Sequence, residues 1–468
     1  MANIVISVVR NKFVAVLLGP SGLGLVGLLL SLVQTASALG GLGIANAAVR
    51  EVAIKRSSGT AVELTEVRSG IRLGTLLAAI FSALVLFFCR EPIAEHVLDR
   101  PDLAGMVGWM APAVALSIFT ASQTSLLTGY GKVSAVAGAG VLGAALATVT
   151  GIAVLLLWGE GAILAYTLFV PVSAAIAVAL FARRVERSAS APLLAAIRQS
   201  RWLVSIGAPM MLGTFVALGS QFVVRAIVNA ETDLQQLGLF QAALALSTTY
   251  VGVLLQSISS DFYPRLSGVI DDRPTAIRLI NEQTETLLML AGILVLVLLA
   301  VSPLVLNLLY ASAFTEAATA LRWLVLGNLI QIASWPLGFC LLASARSRLY
   351  LLLEVAAAIV TISLARILVP VIGMPGAAMA TVVSAALYLV LVSFTARRIG
   401  RSKWRGKTHG LFWALLIAAG CVFAAATYDF VLGAVLGGVL SLLWTALTYR
   451  ELRSVLFVKG EAPASAQA

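Results

Sequence analysis

The sequence predicts an all-α, polytopic membrane protein with about fourteen transmembrane helices. Of its 468 residues, 60% are apolar and only 11% are charged, whereas soluble domains average about 25% charged residues. The mean hydropathy is +1.00, and apolar runs of about 20 residues, each long enough to cross a bilayer, recur along the whole chain. An outer-membrane barrel is excluded, because barrel strands alternate in short segments instead of running continuously apolar.

The apolar segments follow one another closely, and the first is short for a complete span. Glycine and proline separate the first segment from the second, as in a tight turn. In chain order the segments are 2–18, 21–48, 70–89, 104–128, 133–157, 161–182, 202–228, 236–260, 286–310, 319–343, 349–371, 375–395, 409–427 and 430–448.

The distribution of Lys and Arg orients these segments. The loops on the side of the N-terminus hold 25 of the 32 Lys and Arg residues, and the opposite loops hold only Arg90 and Arg100. Because basic loops remain in the cytoplasm, this bias places both termini there. The net charge of +11 therefore reflects membrane topology, and we expect no nucleic-acid partner. The opposite loops are short, so we expect the function to lie within the membrane.

The chain contains an internal repeat with an offset of 214 residues. The matched positions are 23–25 with 237–239, Trp109 with Trp323, Lys132 with Arg346, Gly159 with Gly373, and 182–184 with 396–398. The repeat pairs segments 1–6 with segments 7–12, and because six is even, both halves have the same orientation. We therefore predict two six-helix lobes related by a pseudo-two-fold axis along the membrane normal, with a central cavity and alternating access.

The repeat also predicts the domain boundaries. They are an N-lobe at 1–182, a cytoplasmic linker at 183–201, a C-lobe at 202–396, a basic cytoplasmic loop at 397–408, an added pair of segments at 409–448 and a cytoplasmic tail at 449–468. Segments 13 and 14 thus lie outside the repeat, as two additional C-terminal helices.

Charged residues inside predicted spans are the first candidates for function, because a charge in a bilayer is costly. Lys12 and Arg10 lie in the first segment, about 200° apart on a helix, so they cannot share one face. Arg225 in the seventh segment corresponds through the repeat to position 11, so both lobes offer a cation at matching depth.

Arg366 and Glu354 lie in the eleventh segment, and Glu354 is a candidate coupling acid. For the cations the alternative is snorkelling to the interface, and for Glu354 it is a structural pairing.

Other polar residues favour a binding function over catalysis. Neutral polar side chains inside the spans could bind one another across helices or bind sugar hydroxyls; they are Gln34, Asn46, Gln123, Gln221, Gln241, Gln256, Asn328 and Gln331. The three cysteines and two histidines have no metal-binding spacing, and the sequence has no nucleotide-binding or hydrolase motif. We therefore expect a protein without catalytic residues, metal site or cofactor.

A short motif resembles one found in Wzx-type O-antigen flippases. Residues 18–24, LGPSGLG, are similar to the LGPxGxG turn that follows the first helix in that family, with Gly19, Pro20, Gly22 and Gly24 as the turn residues. Similar stretches follow in the same order at 40–44, 49–53, 237–241, 263–267 and 314–317. Over about residues 5–398, the chain is similar to the lipid III flippases of enterobacterial common antigen assembly.

This polysaccharide transporter family belongs to the multidrug/oligosaccharidyl-lipid/polysaccharide (MOP) exporter superfamily, so the resemblance implies a V-shaped, MATE-like fold of two lobes. It also implies an inner-membrane flippase that moves an undecaprenyl-diphosphate-linked oligosaccharide from the cytoplasmic to the periplasmic leaflet. The resemblance further implies a cationic cavity, for which Lys12, Arg225 and Arg50 occupy matching positions. The partners that it implies are this glycolipid, membrane lipids, a polysaccharide polymerase and a chain-length regulator.

Three alternatives remain open on the sequence. A multidrug exporter of the same fold would need buried carboxylates, and only Glu354 is clearly inside a span. A lipid II flippase would share fourteen segments, whereas many Wzx-type proteins have twelve. A non-transporting scaffold of polysaccharide assembly would keep its function without its intramembrane charges.

Overall fold

The structure is a computed structural model that describes residues 2–183, 191–344, 346–400 and 403–457. These residues are almost entirely α-helical, and they contain no β-strand. The α-helices of six or more residues are α1 (Ala2–Gly40), α2 (Ile44–Ser58), α3 (Ala61–Phe88), α4 (Ala104–Trp109), α5 (Ala111–Gly129), α6 (Val133–Trp158), α7 (Ile163–Arg183), α8 (Leu193–Glu231), α9 (Leu234–Val269), α10 (Arg273–Ala300), α11 (Ser302–Leu309), α12 (Ala318–Ala343), α13 (Ser347–Ile372), α14 (Met374–Arg398), α15 (Gly406–Tyr428) and α16 (Phe430–Phe457).

The all-α membrane fold predicted from the sequence is confirmed. In the described part of the chain, eleven helices are long and apolar enough to cross a membrane, or twelve if the bent pair Pro101–Trp109 and Ala111–Gly129 is one span. Each of the fourteen predicted segments is largely helical. α1 contains the first segment and most of the second, and the eighth segment lies in α9, which is not among the eleven helices. The chain is therefore a multi-pass membrane protein.

α1 is interrupted where the sequence predicts a turn. Gly19 has φ +64° and ψ −172°, outside the helical region, and Pro20 follows it, since proline fits the first turn of a helix but not the interior. The prediction that the second segment extends to residue 48 is wrong, because the helix stops at Gly40. Gly43 has φ +68°, so the chain turns there and α2 begins as a separate helix.

The 214-residue repeat reappears in the helix boundaries. α6 and α13 both have 26 residues, and both of their ends are 214 residues apart, since 347 − 133 and 372 − 158 equal 214. The two helices are followed by Gly159 and Gly373, which both have positive φ. The repeat therefore extends to the backbone conformation, and the symmetry axis inferred from it stays a prediction.

The chain forms two compact units. The first comprises Met1–Gly238 with Leu309–Ala311, and the second comprises Leu239–Leu308 with Ser312–Ala468. The first unit includes α8, which the repeat assigns to the C-lobe, so the compact units and the repeat divide the chain at different places. The lobe boundaries taken from the repeat stay a prediction.

Parts of the predicted connecting regions lie outside the described residues. These parts are 184–190 of the linker, 401–402 of the basic loop and 458–468 of the tail. The rest of the linker is described, and from Leu193 onwards it forms the first turns of α8.

In the second unit, the last two helices pack on α10. Gly292 of α10 has no room for a Cβ, because the indole of Trp444 from α16 lies there. The same indole donates a hydrogen bond from Nε1 to the Met289 carbonyl at 3.1 Å. Close approach at a small residue is a common way for helices to associate in a membrane. The added pair is therefore part of the core of the second unit.

A hydrogen-bonded network fixes the start of α15 to α10. The Asn281 side chain donates from Nδ2 to the Lys403 carbonyl at 2.9 Å and accepts at Oδ1 from the Arg405 N–H at 2.8 Å. A buried amide that binds backbone groups in this way specifies the path of the chain, because leaving those groups unpaired is costly.

The same network includes a buried carboxylate. The Thr408 hydroxyl lies 2.7 Å from Glu285 Oε1 and 2.7 Å from Asn281 Oδ1. Lys407 Nζ lies 3.4 Å from Glu285 Oε2. Glu285 is only 8% exposed, so its charge is compensated by both a hydroxyl and an ammonium group, as buried charges require.

Candidate functional site

Contacts within the first unit define two opposite ends. We call one of them the basic end. There α2, α3 and α8 meet, and Arg198 Nη2 lies 3.5 Å from Glu66 Oε2. At the other, which we call the turn end, Asn229 of α8 donates from Nδ2 to the Leu98 carbonyl at 3.1 Å. The basic end holds the loops that the charge distribution assigns to the cytoplasm.

A cavity of about 290 Å³ lies in the first unit among α1, α2, α3, α5 and α8. Its polar lining consists of hydroxyl and amide side chains, namely Gln34, Ser37, Asn46, Thr75, Ser117, Ser122 and Thr214. The Thr75 hydroxyl donates to the Ser122 hydroxyl at 2.7 Å, which joins α3 to α5 in the cavity wall. In the described part of the chain no charged side chain lines this space. Hydroxyls and amides both donate and accept, as sugar hydroxyls do, and we call this space the neutral cavity.

Arg68 of α3 is a buried cation with two unpaired donor atoms. It is 5% exposed, and its Nε and Nη2 atoms are buried with no hydrogen-bond partner among the described residues. An uncompensated buried charge is strongly unfavourable, so such groups are normally paired. Arg68 precedes Thr75 by seven residues, which is two helical turns, or about 10 Å, along the same helix face. The guanidinium is therefore a candidate anion-binding group close to the neutral cavity.

Sequence reasoning missed Arg68, because the predicted third segment began at residue 70 and left it in a loop. The signal for an earlier start was present in the sequence. Thr60 and Glu63 form a capping box, with the Thr60 hydroxyl accepting from the Glu63 N–H at 3.2 Å and the Glu63 carboxylate accepting from the Thr60 N–H at 3.1 Å. This Thr-x-x-Glu pattern marks the start of a helix, and it places Arg68 inside α3.

The turn motif has a packing role at the turn end of the first unit. Gly24 lies against the backbone of Gly238, and Gly238 lies against the carbonyl of Pro20, so a Cβ on either glycine would overlap these atoms. Gly22 lies against Leu18 in the same turn. Because Gly24 and Gly238 are 214 residues apart, the two copies of the repeated Leu-Gly-Leu triplet contact each other. The motif therefore joins α1 to the start of α9.

The predicted cavity cations lie in different environments. Arg225 is 8% exposed and has an interaction partner. Arg10 is half-buried, its Nε has no hydrogen-bond partner, and it lies close enough to a tyrosine of α7 to interact electrostatically. Lys12, Arg50 and Arg366 are exposed. The different burial of Arg10 and Lys12 agrees with their angular separation on the helix, and none of these five residues lines the neutral cavity.

Glu354 lies in the second unit beside two tyrosines. The hydroxyls of Tyr350 on α13 and Tyr388 on α14 hydrogen-bond to its carboxylate. Gly338 of α12 makes room for the group, since a Cβ there would lie 3.3 Å from the Tyr388 hydroxyl oxygen. The carboxylate is thus half-buried and hydrogen-bonded, which fits both a structural role and the uptake and release of a proton.

Of the neutral polar residues predicted from the sequence, some line the neutral cavity and others hydrogen-bond between helices. Gln34 and Asn46 line the neutral cavity. Asn328 instead donates to the Ser247 carbonyl at 3.0 Å, which joins α12 to α9 within the second unit. Gln123 is buried with its Oε1 unpaired. The side chain of Gln256 lies outside the described residues.

A second cavity, of about 490 Å³, opens at the turn end of the first unit and is lined by Asp99, Arg100, Asn229 and Asp233 among others. Arg100 holds Asp102 by two parallel hydrogen bonds, Nε to Oδ1 and Nη2 to Oδ2, both 2.8 Å long. The hydrogen bond to the Asp102 carboxylate raises the pKa of Arg100. This is the two-donor geometry by which arginine recognises a carboxylate or a phosphate.

The sequence also matches known proteins, and the matches fit this fold. Residues 13–319 match the polysaccharide biosynthesis protein family. The chain belongs to that family. It is also 23% identical to the lipid III flippase of Escherichia coli (strain K12) over 397 residues, which cover 81% of this chain and 91% of that protein. The lipid III flippase of Shigella flexneri matches with the same identity and coverage.

Two solved structures share the fold of this member of the polysaccharide biosynthesis protein family. One is the lipid II flippase MurJ in an inward closed conformation, with a TM-score of 0.77 at 15% identity over 96% of this chain and 97% of that chain. The other is a multidrug resistance MATE family transporter of the MOP superfamily in an inward-facing conformation. It has a TM-score of 0.69 at 15% identity and covers 85% of this chain and 94% of that chain. The MATE-like fold class predicted from the sequence is therefore confirmed.

Proposed function

We propose that this membrane protein is a flippase that moves an undecaprenyl-diphosphate-linked oligosaccharide from the cytoplasmic to the periplasmic leaflet of the bacterial inner membrane. The observation that carries the proposal is the match to the lipid III flippases over 397 residues, 81% of the chain. Membership of the polysaccharide biosynthesis protein family supports the same class of cargo. On this proposal the protein is a transporter and has no catalytic role.

The chemistry of the first unit supports such a cargo. A diphosphate-linked headgroup carries about two negative charges, and its sugars need hydrogen-bond partners in a hydrated space. The neutral cavity offers hydroxyls and amides, and Arg68 adds a buried guanidinium two turns away along α3. The polyprenyl tail needs no such site, because it can remain in the lipid during transport.

The same proposal gives roles to the residues predicted from the sequence. The diphosphate headgroup would be attracted by the intramembrane and basic-end cations Lys12, Arg10, Arg50, Arg225 and Arg366. Among these five residues only Arg225 is buried, so burial supports it most strongly. Gly19, Pro20, Gly22 and Gly24 would hold the packing at the turn end, and Glu354 would couple transport to a proton gradient.

The orientation, the lobes and the partners belong to the proposal as well. The excess of basic residues in the loops on the N-terminal side supports cytoplasmic termini. Transport would proceed by alternating access of two six-helix lobes, as parallel repeats allow. The glycolipid and the surrounding membrane lipids would be direct ligands, and a polymerase and a chain-length regulator would act on the product.

A strain that lacks this gene tests the function. We would extract its undecaprenyl-diphosphate-linked lipids and measure in intact and opened spheroplasts how much of the glycan an impermeant lectin reaches. The proposal predicts glycolipid that accumulates on the cytoplasmic face and disappears when the wild-type gene is restored. Normal export without accumulation would overturn it, and new sensitivity to cationic dyes in that strain would favour a multidrug exporter.

A further inference from the structure

We propose that Arg68 forms a binding site for a phosphate-type oxyanion, which its guanidinium holds through two parallel hydrogen bonds, about 10 Å along α3 from the neutral cavity. That the anion is the diphosphate of the transported glycolipid rests on the proposed function. That an oxyanion binds there rests only on the structure of the first unit.

The two unpaired atoms of Arg68 are those that form one edge of the guanidinium. Nε and Nη2 carry parallel N–H groups that match the two oxygens of a carboxylate or a phosphate. Arg100 of the same unit shows the filled arrangement, with Nε and Nη2 each 2.8 Å from a different oxygen of Asp102. In Arg68 the same two atoms are buried and have no hydrogen-bond partner in the part of the chain that the structure describes.

Two buried donors without acceptors lower the stability of the folded protein. Each buried donor without an acceptor loses its hydration without replacing it, and the positive charge adds a further desolvation cost. Polar groups that remain unsatisfied in a folded protein therefore call for a specific explanation. A bound oxyanion would supply two acceptors and the opposite charge at once.

Two carboxylates of α2 and α3, Glu51 and Glu63, form no ion pair with Arg68 in the described part of the chain. Lys55 Nζ lies 3.4 Å from Glu63 Oε1, so Glu63 is paired with α2. Glu51 lies on α2, the helix that precedes α3. Glu51 is 8% exposed, yet no ion pair within 4.0 Å joins it to Arg68 between these two described helices.

The position of Arg68 connects the proposed anion site to the neutral cavity. The buried face of α3 includes Arg68, Ile71, Thr75 and Ser82, and Thr75 lines the cavity. A headgroup with its phosphate on Arg68 would thus direct its sugar toward hydroxyl and amide side chains about 10 Å away along the helix. The two sites together match a phosphate joined to a sugar.

Two molecules in a membrane offer this anion, the diphosphate of a polyprenyl carrier and the headgroup of an anionic phospholipid. We would purify the protein in detergent free of phospholipid and follow thermal unfolding with farnesyl diphosphate, farnesol or phosphatidylglycerol. A rise in Tm with farnesyl diphosphate alone identifies the carrier as the source, and a rise with phosphatidylglycerol alone identifies the bilayer. Both results support the site, and no rise with either ligand overturns it.

Variants assign the effect to Arg68. Arg68→Gln removes the unpaired charge, so it should raise Tm without ligand and weaken binding of the effective ligand at least about tenfold. Arg198→Gln is the matched control, because Arg198 lies at the same end but is exposed, and it should bind as the wild type does. Full ligand stabilisation of Arg68→Gln would overturn the proposal.

Two further variants cover other outcomes. If Arg68→Gln does not fold, Arg68→Lys is the alternative variant, because it keeps the charge but loses the two-donor edge. It should bind the effective ligand clearly more weakly than the wild type does. Equal binding of that ligand would overturn the bidentate site. If Glu51→Gln restores the stability of a destabilised Arg68→Gln, then Arg68 serves Glu51 and the proposal is wrong. These binding measurements involve no transport, so their outcome is separate from that of the deletion strain.

Discussion

Arg68 in the first unit and Glu285 in the second unit are both buried charged side chains, but their surroundings differ. Glu285 accepts a hydrogen bond from Thr408 and lies 3.4 Å from Lys407 Nζ. Arg68 leaves Nε and Nη2 buried without a partner. A buried charge that the protein itself satisfies stabilises one arrangement of the chain, whereas one left unsatisfied is suited to a ligand that arrives from outside.

This comparison separates structural from functional charge within one membrane protein. The Glu285 network holds α15 to α10, and we expect its loss to lower stability and to leave binding intact. The loss of Arg68 should act in the opposite way, lowering binding while the unliganded protein becomes more stable. A trade between stability and function is common where a binding site keeps unfavourable groups.

The largest effect is expected for Asn281→Leu, which would break the satisfied network. The change leaves the Arg405 N–H and the Lys403 carbonyl without their amide partner, whereas the Thr408 hydroxyl keeps its hydrogen bond to Glu285. At about 1–3 kcal/mol for each of these two unpaired groups, we expect the free energy of unfolding to fall by about 2–4 kcal/mol. Denaturant unfolding in detergent measures it, with the exposed Asn307→Leu as control. A loss below about 1 kcal/mol would contradict the structural role.

Arg225→Ala and Lys12→Ala test the cations of the first unit that the repeat relates in sequence. A charge-assisted hydrogen bond to a phosphate contributes about 1.5–3 kcal/mol, so each variant should slow glycolipid transport by roughly 10–100-fold. The rate would be normalised to folded protein, with the exposed Lys132→Ala as the matched control. Full transport by the double variant would show that these cations do not hold the cargo.

Glu354→Gln tests whether this hydrogen-bonded carboxylate couples transport to protons. If Glu354 couples transport, it must gain and lose a proton in each cycle, which glutamine cannot do. We then expect transport to fall by about tenfold, which corresponds to about 1.4 kcal/mol, and its dependence on pH to flatten. Transport rates across a pH series measure both effects, and an unchanged profile would assign Glu354 to the structural class with Glu285.

The smallest effect is expected for Lys407→Met. Lys407 contacts Glu285 and Glu451, but its side chain is 51% exposed. Ion pairs that remain accessible to water contribute about 0–1 kcal/mol, and Thr408 would still donate to Glu285. A loss in unfolding free energy well above 1 kcal/mol would mean that the ammonium, and not the hydrogen bonds, compensates the buried carboxylate.

Most of the fold was predictable because apolar length alone identifies a membrane-spanning helix. The break at Gly19 followed from the adjacent proline, and the repeat predicted the matching ends of α6 and α13. The end of the second segment was not predicted, because α2 continues the helical pattern after a turn at Gly43.

The candidate site was less predictable, since burial depends on which distant segment packs on a helix. Arg68 is buried in a part of α3 where Gly70 and Gly74 lie close to Gln199 and Ser200 of α8. Those contacts join residues that are more than 120 positions apart, and no local pattern shows them. The predicted cations were chosen by depth in the membrane, and their different burial likewise follows from packing between helices.

Proteoliposomes that contain the purified protein and the glycolipid extracted from the deletion strain test the central claim most directly. A membrane-impermeant lectin would report how much glycan reaches the outer leaflet with time. The proposed function predicts that wild-type protein exposes the glycolipid of the inner leaflet far faster than protein-free liposomes, and that Arg68→Gln does so more slowly. Equal rates with the wild-type protein and without protein would contradict a flippase.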